Sequence, residues 1–141
     1  MRDLVTFFLS VKYRAPSKEK LFLEKGWGIR DVSGPYLSIS QGFICIDNSM
    51  FSSEIPSTIS LVFSVSNRCP TASVLVTISN HEREFSQHIK KNGSSEFIIE
   101  SVYFGPQRRY VISVCLPEVE NLANPGSFSD ILAIDEISIE R

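Results

Sequence analysis

The stretch Asn121-Leu-Ala-Asn-Pro-Gly-Ser-Phe-Ser-Asp-Ile-Leu-Ala-Ile-Asp-Glu-Ile-Ser-Ile-Glu-Arg141 decides the fold. Turn formers run as far as Ser129-Asp130, and an apolar–polar strand then closes the chain. A lone strand cannot bury its inner face, so a closing strand this apolar must slot between strands laid down earlier. Leu132 and Ile134 are in phase with each other, as are Ile137 and Ile139, but the two pairs are out of phase. Because a slip of one residue exchanges the faces of a strand, this pattern predicts a bulge or bend near Asp135-Glu136.

Working outward, Thr58 to Ser66 alternates most cleanly, with Ile59, Leu61, Phe63 and Val65 on one side and mostly Ser and Thr on the other. That period of two is the mark of a half-buried antiparallel strand. Ser73 to Ser79 repeats it with Val74, Val76 and Ile78, and Arg109 to Leu116 with Tyr110, Ile112, Val114 and Leu116. Asn80-His81 reads as a turn into Arg83–Ile89, and Asn92-Gly93 as a tight turn into the strand that holds Phe97. Earlier, Leu4–Lys12 and Leu21–Leu23 read as strands. Tyr36 to Ile46 reads as a strand pair, or as one strand broken at Gln41-Gly42. Residues 26–35 carry three Gly and a Pro and read as a loop. No segment holds a helical period beyond about two turns. Eight or nine strands at this spacing predict an all-β fold, a jelly-roll type antiparallel β-sandwich. With no linker and no internal repeat, residues 1–141 form a single domain, which a larger parent protein can carry.

The totals bound the function. A chain of 141 residues has the size of one domain and buries roughly two thirds of its unfolded surface without a metal or disulfide staple. Hydrophobic content of 43% and charged content of 21% are those of a soluble globular chain. A net charge of −2 and a pI near 5.7 argue against a nucleic-acid partner. No run approaches the roughly 20 apolar residues that span a bilayer. Leu4–Val11 lacks the flanks of a signal peptide, so we expect no export by such a signal. Cys45, Cys69 and Cys115 are odd in number and have no C-x-x-C spacing, which suits reduced thiols in a reducing, cytoplasmic compartment.

No catalytic motif is present: there is no G-x-S-x-G, no phosphate loop and no H-E-x-x-H. His81 and His88 read as exposed polar residues rather than metal ligands, and no cofactor is implied. Trp27, the single tryptophan, stands in a Gly-flanked loop nine residues before Tyr36. Such aromatics form a stacking platform for a sugar, or plug the open end of a sandwich. Tyr103, Phe104, Arg108 and Arg109 form a second polar–aromatic cluster.

Gly26-Trp27, Asp31 and Gly34-Pro-Tyr36, followed late by Asn124-Pro-Gly-Ser-Phe-Ser-Asp130 and the closing strand, carry a family resemblance. Over residues 24 to 140 the chain resembles a bacterial β-sandwich module. That family is itself similar to carbohydrate-binding modules and is attached to glycosyltransferases and other surface-polysaccharide assembly proteins. Departures are Asp31 where Glu is usual, Tyr36 for a second Trp, Ala133 for Gly, Asn80-His81 for an Asn-Gly turn, and Ile131 near a usual Arg. The resemblance implies a non-catalytic glycan-binding or accessory module of bacterial surface polysaccharide biosynthesis. Its expected partners are a glycan or polysaccharide and a glycosyltransferase domain, and its expected ligand contacts are Trp27, Asp31, Tyr36 and Arg108. The alternative is a structural or oligomerisation module with an apolar outer face, to which Val62, Leu75 and Ile98 point. An enzyme with an unmarked site is the third reading.

Overall fold

A computed structural model describes residues 12–14, 19–24, 27–28, 36–37, 41–48, 57–80, 82–102, 109–120 and 131–140. All but Lys12 of the strand expected over Leu4–Lys12, and Asp31, His81, Tyr103, Phe104, Arg108 and Asp130, lie outside these residues. In chain order the strands are β1 Lys12–Arg14, β2 Glu19–Glu24, β3 Trp27–Gly28, β4 Tyr36–Leu37, β5 Gln41–Asn48 and β6 Ser57–Val65. They continue as β7 Ser73–Ser79, β8 Glu84–Lys90, β9 Ser94–Val102, β10 Arg109–Cys115 and β11 Leu132–Glu140, with one helical turn, α1, at Pro117–Glu120 before β11.

These strands form two sheets. One has the order β3-β4-β11-β6-β9, with β1 also on β11, and the other β2-β5-β10-β7-β8. Four antiparallel pairs nest inside one another: β4 with β11, β5 with β10, β6 with β9, and β7 with β8. A long two-stranded ribbon rolled up on itself produces this nesting, so the predicted jelly roll is the observed fold. Among the described residues, only β1 runs parallel to its neighbour.

The ladder of β6 on β11 is the spine. Along β6 every second residue is buried, Ser57, Ile59, Leu61, Phe63 and Val65. Leu132 pairs with Val65 and Ile134 with Phe63; the register then shifts, so that Ile137 meets Leu61 and Ile139 meets Ile59. Asp135 is the extra residue. The bulge expected near Asp135-Glu136 is present, and it turns all four of these apolar residues of β11 onto the core side. Across β6, Leu61 pairs with Phe97, and the rings of Phe63 and Phe97 meet edge to face at 5.6 Å.

Three sequence expectations need correction. Tyr36–Ile46 is two strands in different sheets, β4 and β5, and Gln41-Gly42 lies inside β5 rather than at the break. Trp27-Gly28, read as loop, pairs with Leu37 and Tyr36; two residues flanked by glycine suffice for this edge ladder. The Asn92-Gly93 turn exists, with Asn92 at φ 63° and Gly93 N–H donating to Lys90 O at 2.8 Å, but β8 and β9 belong to different sheets. A Cβ on Gly93 would stand 2.9 Å from that carbonyl, so the position needs glycine. In place of a ladder, side chains of β8 and its lead-in reach the outer edge of β9. Gln87 Nε2 donates to Glu96 O at 3.1 Å, and Arg83 donates to Glu100 O and Ser101 O. These bonds occupy edge carbonyls that would otherwise invite another strand.

The spine gives a direct test. Deleting Asp135 removes the bulge and turns Ile137 and Ile139 outward, so urea unfolding is expected to lose its cooperative transition. Asp135→Ala, which keeps the extra residue, retains that transition. Ile137→Ala leaves a cavity and is expected to cost about 2–5 kcal/mol. An unchanged urea midpoint in the deletion variant contradicts the role given to the bulge.

Candidate ligand-binding face

The alternation that fills the core also decides what each sheet shows to solvent. On the five-stranded sheet, Phe43 of β5 is in register with Ser113 of β10, and Ser113 with Ser79 of β7. The three form one lateral row spanning roughly 10 Å at the usual strand spacing. One step along β10 comes Val111, 40% exposed and opposite the buried Cys45. In the other direction the next row is Gln41, Cys115, Thr77 and Ser86. Phe43, Ser113, Ser79, Val111 and Asn80 line an open depression of about 320 Å³. None of the five carries a charge. Gln41 Nε2 donates to Ser113 Oγ at 3.0 Å, and the Thr77 and Ser86 hydroxyls share a bond of 2.8 Å. Beyond the depression the row of Phe43, Ser113 and Ser79 continues in register to Glu24 on β2 and Glu84 on β8.

The six-stranded sheet carries its acids at the depression itself. Val62 is in register with Glu96 on one side and Glu136 on the other, and Ser60 with Ile98 and Ser138. Thr58, Ser60, Glu96, Ile98, Glu136 and Ser138, with Glu140, border a depression of about 290 Å³ there. Ser60 Oγ donates to Glu96 Oε2, and Ile98 is 49% exposed. Val62 and Ile98 thus share this face, while Leu75 lies on the other sheet, in register with His88. The apolar outer face expected from these three residues is divided between the two sheets.

Of the residues expected to touch ligand, Trp27 is only 6% exposed and belongs to the core, its indole Nε1 donating to Phe43 O at 3.1 Å. Of its two sequence readings, platform and plug, this burial matches the plug. The bond spans the sandwich: Trp27 sits on an edge strand of one sheet and fixes the backbone of Phe43 in the other. Tyr36 pairs with Ala133 and Gly28, beside Trp27. Arg108 and Asp31 lie outside the described residues; Arg109, the neighbour of Arg108, pairs with Asp47 on the five-stranded sheet. The two described positions, Trp27 and Tyr36, both lie on the six-stranded sheet. Phe43, Val111, Ser113 and Ser79 were not singled out from the sequence. The available signal was the out-of-phase apolar residue, since Val111 stands opposite in phase to Tyr110, Ile112 and Val114.

Asn80 closes one end of the depression. Its Oδ1 accepts from the backbone N–H of Glu82 at 2.9 Å and of Arg83 at 2.8 Å, an Asx turn that fixes the amide. Its Nδ2 is buried beside Tyr110, close enough to favour the tyrosinate but in hydrogen-bonding geometry with no described group. Burial pushes the Tyr110 phenol above its ordinary range; the Arg83 charge draws it back, Glu82 adds to the rise, and the Asn80 amide opposes it. No group of three or more His, Cys, Asp or Glu able to hold a metal occurs among the described residues. Cys45, Cys69 and Cys115 form no disulfide, and the first two are buried. No helix among the described residues is long and apolar enough to cross a membrane.

Fold and face together define a jelly-roll β-sandwich with an uncharged depression on one sheet and an acidic one on the other. Neither the protein-family models nor the curated proteins include a match to this chain. Among solved structures the chain is similar to the carbohydrate-binding module TmCBM61 in complex with beta-1,4-galactotriose. The identity is 12% and the TM-score 0.40, over 96% of this chain and 94% of that one. At those values the likeness is a general one.

Tyr110 makes the alkaline limit of stability testable. A phenol raised in the folded state contributes stability that is fully present below its unfolded pKa of about 10 and lost as pH rises through the folded value. The urea midpoint of the wild type is therefore expected to fall more steeply above about pH 10 than that of Tyr110→Phe. Parallel profiles contradict the assignment.

Proposed function

We propose that this chain is a non-catalytic glycan-binding module that holds its sugar on the outer face of the five-stranded sheet. The observation that carries this reading is the row Phe43–Ser113–Ser79 with Val111 beside it, around an uncharged depression of about 320 Å³. A pyranose presents an apolar C–H face and neutral hydroxyls, and an aromatic or aliphatic shelf set among hydroxyls and amides complements both. The volume lies at the lower end of small-ligand sites and suits one or two sugar residues. Trp27 serves the site from within, by holding the Phe43 carbonyl. Asp31 and Arg108 are carried into the proposal as further ligand contacts, whereas Tyr36 stands on the other sheet.

In the same proposal the module is an accessory of bacterial surface polysaccharide biosynthesis. It works beside a glycosyltransferase domain on the cytoplasmic side, with no nucleic-acid partner. The family resemblance of Gly26-Trp27, Asp31 and the closing loop and strand supports that setting, as does the odd number of cysteines. A second reading, a structural or oligomerisation module, is favoured by one observation, the exposed Ile98 beside Val62 on the six-stranded sheet. The mass in solution separates the two: a dimer that Ile98→Glu dissociates supports the second reading.

Calorimetric titration with a panel of bacterial surface polysaccharides tests the first. Saturable binding is expected. It should weaken by about tenfold in Phe43→Ala, equivalent to roughly 1.4 kcal/mol, and stay unchanged in Ile98→Ser. Binding indifferent to Phe43→Ala with the fold intact contradicts the placement of the site.

A further inference from the structure

We infer that β8 and the turn before it form a hinged flap over the seam between the two sheets. The flap is pinned at the Asn92-Gly93 turn and held shut at its far end by the Arg83 guanidinium, a clasp on the backbone of β9. This device belongs to the fold and does not rest on the glycan-binding reading. Three observations carry it. First, β8 and β9 follow one another in the chain but belong to different sheets, so no backbone ladder joins them. Among the described residues the bonds that close the seam come from side chains. Gln87 Nε2 donates to Glu96 O at 3.1 Å, Ser95 Oγ donates to Gln87 Oε1, and Arg83 donates to Glu100 O and Ser101 O.

Second, the two ends of the seam differ. At the turn, backbone bonds fix the chain to both sheets: the Val65 N–H donates to Gly93 O and the Lys91 N–H to Ala72 O, each at 2.9 Å. At the other end one long side chain, Arg83, spans the gap. Its backbone is set by Asn80, whose Oδ1 accepts from the Arg83 N–H at 2.8 Å and whose N–H donates to Arg83 O at 2.9 Å. Third, β9 is shaped to receive the guanidinium. Ser57 pairs with Val102 and Ile59 with Ile99, so Glu100 and Ser101 together stand opposite Thr58, a bulge. Ser101 takes φ 58°, a left-handed conformation that a serine keeps only where its surroundings hold it. The two carbonyls of this bulge are the ones that Arg83 engages.

Beneath the clasp, Ile78, Phe85, Tyr110 and Ile112 of one sheet pack on Ile99 of the other with no space for a water molecule. Lifting the flap wets these residues and frees the carbonyls of Glu96, Glu100 and Ser101, next to the half-exposed Ile98. A sheet edge with free carbonyls accepts an added strand. The clasp therefore decides whether β9 is a closed edge or an available one.

The test is hydroxyl-radical footprinting of the full chain, with oxidation located by peptide mass. Arg83→Met, which keeps the bulk and removes the donors, is expected to raise the opening equilibrium about tenfold, the worth of a hydrogen bond from a charged group. Oxidation of Phe85 and Tyr110 should rise with it, while Phe63 in the central ladder stays protected. Gln87→Ala removes the bond midway along the seam, away from Tyr110, and is expected to raise oxidation of Tyr110 to a lesser degree. An unchanged Tyr110 in Arg83→Met overturns the clasp. A rise in Arg83→Met that Gln87→Ala does not share is local uncovering and overturns the flap. Oxidation of Phe63 rising in step with Tyr110 is global unfolding and overturns both.

Discussion

The pairing of β6 with a bulged β11 is the constraint on which the structure depends. β6 offers a strict alternation, Ile59, Leu61, Phe63 and Val65 inward, and β11 matches it only because Asp135 is left over. The bulge reconciles two apolar pairs of opposite phase in one strand and thereby supplies the core with Leu132, Ile134, Ile137 and Ile139. β9 completes the central ladder by laying Phe97 and Ile99 against Leu61 and Ile59. The second sheet then has an apolar surface to pack on, and the nested order of the four strand pairs closes the roll.

With the core face of every strand committed, the outward residues are fixed by register. On the six-stranded sheet register aligns Glu96, Val62 and Glu136 in one row; on the five-stranded sheet it aligns Phe43, Ser113 and Ser79 between Glu24 and Glu84. An aromatic beside two hydroxyls suits a ligand with both apolar and hydroxyl surface. The five-stranded face is also braced from inside, because the buried Trp27 indole holds the carbonyl of Phe43. Rigid support beneath a contact residue favours binding by reducing what must be ordered when ligand arrives.

Much of the fold was legible from the sequence because period-two patterning is a local signal. The strands over Thr58–Ser66, Ser73–Ser79 and Arg109–Leu116 and the bulge near Asp135 all follow from counting apolar positions. Which sheet each strand joins is not local. The segment Tyr36–Ile46 read as a strand pair or as one strand broken at Gln41-Gly42, although β4 and β5 join different sheets, and the Asn92-Gly93 turn carries the chain between sheets. The site was less legible for a related reason. Trp27 drew attention as the single tryptophan in a glycine-rich stretch, yet burial depends on partners distant in sequence, Leu37 and Phe43 among them. Phe43, Ser113 and Ser79 come from three separate strands, and nothing in their spacing unites them until the register is known.

The most direct test of the account is the map of backbone amide resonances during titration with oligosaccharides from bacterial surface polysaccharides. The account predicts saturable shifts concentrated at Phe43, Ser79, Val111 and Ser113, with the single indole N–H of Trp27 moving in step through its bond to Phe43. Amides of Val62, Glu96 and Ser138 on the opposite sheet should stay in place. Shifts confined to that opposite sheet, or none on either, would contradict it.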